Sequence, residues 1–217
     1  MALSQRHAPS SYAAEAISRG LNHHYVAATD DIDRAIAAAY RLIEKHESVD
    51  VKMRELLAEA GLSTQQFYRY FPSKDDFFVV LLEDGQQKLL TYLEHRIAKH
   101  KTPKARLQAC LEGFLAQAED PNAAARTRPF LVHKARLHRE RERLGQTINS
   151  GFLDLFAAEI EASRPARPEA ASSARADAGW LLALILAVME NYILEGAAPT
   201  AAQKESLLAF CFRALGL

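Results

Sequence analysis

The sequence predicts an all-α fold, and three observations carry the prediction. Alanine and leucine recur throughout, while only 9 glycines and 8 prolines occur in 217 residues, a composition that favours helices. Apolar residues return three and four positions apart in segment after segment. No stretch alternates apolar with polar residues in the manner of a half-buried strand, and no internal repeat is visible. With 49% apolar and 25% charged residues, the chain can bury a proper core.

The first 28 residues are weakly patterned and read as an arm with one short helix around 11–19. A firm helix starts near "TDDID", where Thr29 or Asp30 can cap it and Asp31 and Asp33 sit in its first turn. Ile32, Ile36, Ala39, Tyr40 and Ile43 make one stripe on that helix, which ends near Glu47. A second helix covers 51–60, with Val51, Leu56 and Leu57 inward and Gly61 in the left-handed stop position. Ser63 and Gln66 form a capping box for a third, short helix, which Pro72 ends at Phe71. Ser73 and Asp76 then open a long fourth helix reaching about Lys99. Two helices, a short glycine-containing turn and a short helix are spaced as in a helix-turn-helix.

The remainder is helical too. Thr102 and Pro103 start a helix striped by Leu107, Leu111, Phe114 and Leu115, and "DPNAAARTRP" breaks it. A helix or pair of helices covers 130–162, interrupted near Gly145; residues 163–173 are a proline-containing loop. Two helices, 174–195 and 200–215, close the chain.

Bulk properties exclude several classes. The formal net charge is zero, so nucleic-acid binding must rest on a local site, and coating of DNA without regard to sequence is disfavoured. Cys110 and Cys211 are the two cysteines, read as free thiols in a reducing cytoplasm. The N-terminus lacks the apolar centre of a signal peptide. The apolar run 180–189 lies between Asp177 and Glu190 and is too short to span a bilayer. A cytoplasmic protein with no membrane partner is expected. The histidines offer no ligand spacing on one helical face, and neither a phosphate loop nor a nucleophile elbow occurs, so no metal, cofactor or catalytic residue is expected.

The stretch "MRELLAEAGLSTQQFYRYFPSKDDFF" carries the functional signal. Phe67 and Phe71 are four apart and anchor the short helix, leaving Thr64, Gln65, Gln66, Tyr68 and Arg69 on its other faces. Glutamine can pair bidentately with adenine, arginine with guanine, and a threonine methyl can touch thymine, each good pair giving ~1–3 kcal/mol of discrimination. Tyrosine hydroxyls, Lys74 and backbone amides suit phosphates, which fix register. Between Ser63 and Lys74 there are two basic residues and no acid, and Arg54 would lie beside the same groove. The blander reading, a helix-turn-helix corner that only packs, does not need this polar face.

These residues resemble the helix-turn-helix signature of the TetR family of bacterial transcriptional regulators. The likeness lies in the Ala60-Gly61-Leu62-Ser63 turn, the Phe67-Tyr68-x-Tyr70-Phe71 block and the Pro72-Ser73-Lys74 start of helix four. Beyond Phe78 only helical layout and length agree. The resemblance implies an N-terminal DNA-binding domain (29–75) after the arm (1–28), and a helical ligand-binding and dimerisation domain (76–217). It implies that Ser63, Thr64, Gln65, Gln66, Tyr68 and Arg69 face bases and nearby backbone. Tyr70 and Lys74 would hold phosphates, helped by Lys52 and Arg54. Lys52-Met53 stands where the family often has a phosphate-binding threonine.

The segment "AGWLLALILAVMENYILEG" is apolar nearly all round and so needs cover on two sides. Its own core supplies one and a second subunit the other, joined by the last helix through Leu207, Leu208, Phe210 and Leu215. A homodimer through the last two helices predicts a palindromic double-stranded operator. Helices four to seven would enclose an effector cavity lined by Phe114, Phe130, His133, Leu137, Phe152, Phe156, Trp180 and Leu184. Each of these side chains has core packing as its plainer role; together they suit a bulky apolar or aromatic small molecule. Seven basic residues against two acids between Arg126 and Arg143 are either a solvated face or a receptor for an anionic head group. The expected function is a ligand-released repressor. The alternative is a helical ligand-binding or enzymatic bundle whose corner is only structural.

Overall fold

The computed structural model describes residues 25–133, 150–164 and 173–217. It is all-α: α1 (Tyr25–His46), α2 (Met53–Ala60), α3 (Thr64–Tyr70), α4 (Lys74–Ile97), α5 (Pro103–Glu119), α6 (Pro121–Val132), α7 (Ser150–Ser163), α8 (Ala174–Glu195) and α9 (Ala201–Leu215). No strand occurs among the described residues. The short helix expected at 11–19, the interruption near Gly145, Leu137 and most of the 163–173 loop lie outside them.

Two local expectations need correction. The first helix begins at Tyr25, upstream of Thr29 and Asp30, so those residues lie inside it and cap nothing. Asp31 is buried and accepts bonds from Arg34 of its own helix and from Tyr70 of α3; these side chains, not the helix dipole, hold that acid. The second correction concerns "DPNAAARTRP". It does break α5, whose last residue is Glu119, with Asp120 in extended backbone, but the chain is helical again from Pro121, because Asp120 accepts from Asn122 N at 2.9 Å and Ala123 N at 3.4 Å and Pro121 takes the first-turn place where its missing N–H costs nothing. Asp-Pro both ends α5 and begins α6.

The chain divides into two compact units. One holds α1, α2, α3 and α4 as far as Gln87, together with His133. Its core joins Ile32, Ala35, Ala39 and Ile43 of α1 to Leu56, Phe67, Phe71, Phe77 and Phe78, none more than 2% exposed. The rings of Phe67, Phe71 and Phe77 meet in tilted and edge-on pairs 4.9–5.3 Å apart, so one aromatic cluster fixes α3 and the start of α4. Tyr40 adds a polar tie: its hydroxyl lies 3.1 Å from Leu81 O and 2.9 Å from Asp84 Oδ2, which share its one proton.

The other unit holds α4 from Lys88, then α5 to α9. Here α8 packs against α5, α6 and α7, and α9 rests on α5. Ser173 caps α8 by accepting from Ala176 N at 3.2 Å, and Gly196 ends it at φ 69°. Arg128 of α6 donates to the terminal carbonyls of Ile193 and Leu194 at 2.9 and 2.7 Å, satisfying acceptors that a helix end leaves open. At 22 residues, α8 is longer than the apolar run at its centre and, by length and composition, long and apolar enough to cross a membrane. Its buried stripe, Leu181, Leu182, Ile185, Met189 and Ile193, packs inside this unit.

Candidate nucleic-acid interface

The site is built on α2, the turn and α3. Gly61 sits at φ 64°, and Leu62 N reaches back to Leu57 O at 3.0 Å, so the chain reverses within one left-handed residue. An added Cβ there would be strained by the backbone and would meet Arg34 Nη1 at 3.2 Å. Arg34 occupies that place for a reason: it donates to Ala60 O at 3.0 Å and Gly61 O at 3.3 Å and is paired with Asp31. Thus α1 holds the end of α2.

At the start of α3, Ser63 Oγ accepts from Gln66 N at 3.1 Å and Gln66 Oε1 accepts from Ser63 N at 2.9 Å, the expected capping box. The ring contacts then orient the helix. Phe67 and Tyr70 point inward, and Thr64, Gln65, Tyr68 and Arg69 are exposed. Tyr68 is 45% exposed while its ring meets Phe67 edge-on at 5.5 Å, so its direction is set although its hydroxyl is free to reach outward. Lys52 and Arg54, at the start of α2, are exposed as well. Lys74 is half-buried, its ammonium 5.4 Å from the Phe78 ring centre.

Three of the ten expected DNA-facing side chains are engaged elsewhere, in whole or part: Ser63, whose hydroxyl oxygen accepts in the cap, Gln66 and Tyr70. Tyr70 is only 4% exposed and its hydroxyl donates to Asp31 Oδ2 at 2.9 Å; burial first, then that bond, raises its pKa. It therefore braces α3 against α1, which corrects its expected outward role. Gln66 is half-buried with its carbonyl oxygen spent on the cap, leaving only its amide NH2 to reach a base edge.

Electrostatics sharpen the face. The two acids of α2 both have partners from α1: Glu59 pairs with Arg41 at 2.7 Å, and His46 Nε2 lies 3.3 Å from Glu55. Arg69, Arg54 and Lys52 are thus left to present net positive charge on a chain that is neutral overall. Neither the Asp31–Arg34 brace nor these pairings is readable from spacing alone. The one available signal is Asp31 and Arg34 standing three apart in a helix.

The expected effector residues fare unevenly. Phe114, Phe152 and Phe156 do meet in the second unit, with ring centres 5.2 and 5.7 Å apart, and Leu184 packs on the same cluster. All three rings are under 5% exposed. Trp180 is 76% exposed, so it does not line the interior of its own chain. His133 groups with the first unit and lies 3.9 Å from Asp50, and Phe130 is half-exposed.

A buried ion pair was not anticipated. Glu159, 8% exposed, accepts from Arg106 Nε at 2.8 Å. Burial, and after it the Glu159 charge, pushes the Cys110 thiol up to about 12, against an opposing effect of Arg96. Glu159 follows Phe156 by three places on the inward stripe of α7, a polar residue in an apolar register and so a legible signal of pairing. No cluster of histidine, cysteine or carboxylate side chains suited to a metal occurs among the described residues.

Comparison with known proteins accords with this geometry. Residues 35–81 match the family described as bacterial regulatory proteins, tetR family. No curated protein sequence matches the chain. Among solved structures, reduced NemR of E. coli is similar at TM-score 0.62 and 19% identity, over 83% of this chain and 95% of that one. The fatty acid degradation regulator FadR of Bacillus halodurans is similar at TM-score 0.57 and 15% identity, over 85% and 94%. FadR of Bacillus subtilis, solved in complex with stearoyl-CoA, is similar at TM-score 0.54 and 18% identity, over 85% and 95%. At such identities the solved structures speak for the fold.

Proposed function

We propose that this chain, whose residues 35–81 match the tetR family of bacterial regulatory proteins, is a dimeric repressor of that family that reads a palindromic operator and leaves it on binding a small molecule. The observation that carries the reading is the exposed Thr64, Gln65, Tyr68, Arg69 face on a helix locked from behind by Phe67, Tyr70 and the capping box. A corner that only packs has no use for it. Thr64, Gln65 and Arg69 meet base edges, with the Gln66 amide beside them. Tyr68, Lys52, Arg54 and Lys74 meet phosphates, along with the Ser63 hydroxyl, whose proton the cap does not use. Residues 29–75 act as the DNA-binding segment and 76–217 as the ligand-binding and dimerisation segment. Two-fold symmetry through α8 and α9 sets the half-sites a helical turn, ~34–36 Å, or a multiple of it apart.

The effector is a bulky apolar molecule, with or without an anionic group, taken up in the second unit beside the Phe114, Phe152 and Phe156 cluster. The stearoyl-CoA complex of a structurally similar protein supports that chemical class. Effector binding releases DNA only if it favours a subunit arrangement with the wrong half-site spacing, which demands different affinities for the two states. The chain performs no reaction in this reading and works in the cytoplasm, where its DNA lies.

The test is selection of binding sites from a random duplex pool at a stated salt concentration. A palindromic consensus is expected. Absence of enrichment, even with protein unfolded and refolded to strip any carried ligand, would refute the reading in favour of a purely structural corner.

A further inference from the structure

We infer that Gln66 is a specificity-determining residue that favours guanine and rejects cytosine, while its neighbour Gln65 selects adenine. The difference arises from the capping box, which engages the acceptor of one glutamine and leaves the other amide whole. This rests on the regulator reading above and deepens it by naming the base edges that two adjacent side chains take.

A glutamine amide carries one acceptor atom, Oε1, and two donors on Nε2. Adenine shows the major groove an acceptor, N7, beside a donor, its N6 amino group, so a whole amide matches it with two bonds. Gln65 is exposed, and its amide has no partner among the described residues. It keeps both halves of that match.

Gln66 does not. Its Oε1 accepts from Ser63 N at 2.9 Å, while its own N donates to Ser63 Oγ at 3.1 Å. The backbone N–H of Ser63 can only donate, so the amide atom it meets must be the oxygen. That bond fixes which way the amide faces. With Oε1 turned back to Ser63, Nε2 is the half left for a base, and no described group bonds it. The side chain is half-buried, with exposed Arg69 and buried Tyr70 three and four places along the same helix. Presenting the oxygen outward would mean giving up the cap.

A group that only donates discriminates by a different rule. Guanine offers it two neighbouring acceptors, O6 and N7, and thymine offers O4. Adenine offers N7 but sets its own amino donor beside it, and cytosine offers only the N4 amino donor. Two donors facing each other cannot bond, and both lose their water. The order of preference is therefore guanine, thymine, adenine, cytosine. The capping box turns a residue type suited to adenine into one that excludes cytosine.

Gln66→Glu separates reading from capping. Glutamate serves the third position of a capping box as well as glutamine does, and an acid in the first turn suits the helix dipole. The outward atom becomes an acceptor, which suits cytosine N4. The experiment is duplex selection at stated salt with the full parent chain, Gln66→Glu, Gln65→Glu and Arg69→Ala, with a melting curve for each. One consensus column should change from guanine in the parent to cytosine in Gln66→Glu, by roughly 10-fold in relative affinity per half-site. The melting temperature should not fall. Gln65→Glu should instead turn an adenine column to cytosine, and Arg69→Ala should alter a third column. An unchanged consensus for Gln66→Glu, or a change confined to the Arg69 column, overturns this inference and leaves the regulator reading standing. So does a folded Gln66→Glu that selects nothing, because the new acceptor has then found no cytosine. A melting temperature well below the parent's overturns it as well, since the oxygen would not then be the atom held by the cap. No enrichment by the parent overturns both readings.

Discussion

The Tyr70 hydroxyl donates to Asp31 Oδ2 at 2.9 Å, tying the exposed helix α3 to the middle of α1. Asp31 also holds Arg34, which caps the carbonyls at the end of α2. One carboxylate therefore sets the position of both helices of the helix-turn-helix.

Tyr70→Phe removes one of the two partners of that buried acid. The expected cost is about 1–3 kcal/mol in urea unfolding. Affinity should fall alike on operator and scrambled duplexes, because the aim of α3 is lost and no base contact is. An altered base preference at unchanged stability would return Tyr70 to the DNA.

Gln65 and Gln66 are neighbours with opposite expected phenotypes. Gln66→Ala breaks the capping box and should destabilise the chain by about 1 kcal/mol. Gln65→Ala, on an exposed residue without a structural bond in the cap, should leave stability within about 0.5 kcal/mol and change the selected consensus. Thermal melts alongside duplex selection on both variants check this; equal melts for the pair would contradict it.

Arg69→Ala should also change which bases are preferred, at about 1–3 kcal/mol on the operator. Lys74→Ala and Lys52→Ala should weaken all duplexes and each reduce the salt slope of binding by about one. The check is a salt titration on cognate and scrambled DNA. Uniform losses for all three variants would erase the division between reading and positioning.

Cys110 makes stability pH-dependent in a stated direction. Its thiol ionises near 9.0 when unfolded and is pushed up to about 12 in the folded chain by burial. A raised pKa means a contribution intact below pH 9 and lost as pH climbs toward 12, by at most ~1.4 kcal/mol per pH unit. Urea unfolding of Cys110→Ala should therefore show a shallower alkaline decline than the parent chain. Identical slopes would sink the assignment.

Much of this protein was legible one segment at a time. The left-handed Gly61, the Ser63–Gln66 box, the stop at Pro72, the Thr102–Pro103 start and the bounds of α8 all follow from short-range rules, because each depends on backbone groups within a few residues. The outward set Thr64, Gln65, Tyr68 and Arg69 followed from the inward pair Phe67 and Phe71 by helical phase alone. Asp120-Pro121 reads as a break and does end α5; that it also begins α6 at once is not fixed by those rules, because the same dipeptide can end one helix and begin another.

Other assignments could be decided only by neighbours distant in sequence. Helical phase places Tyr70 beside Phe67 and Phe71 and Tyr68 away from them, but nothing local supplies a partner for a buried hydroxyl; the carboxylate of Asp31, 39 residues away, is what holds Tyr70 inward. Nothing local separates Trp180 from Phe114 and Phe156 as core or surface, because helix α8 is apolar on every side and the packing of α5, α6 and α7 selects which stripe is buried. Helix and cap are chosen by the chain's own hydrogen bonds, whereas the partner of a buried polar group, and the side of an apolar helix that meets the core, are chosen by whatever folding brings beside them.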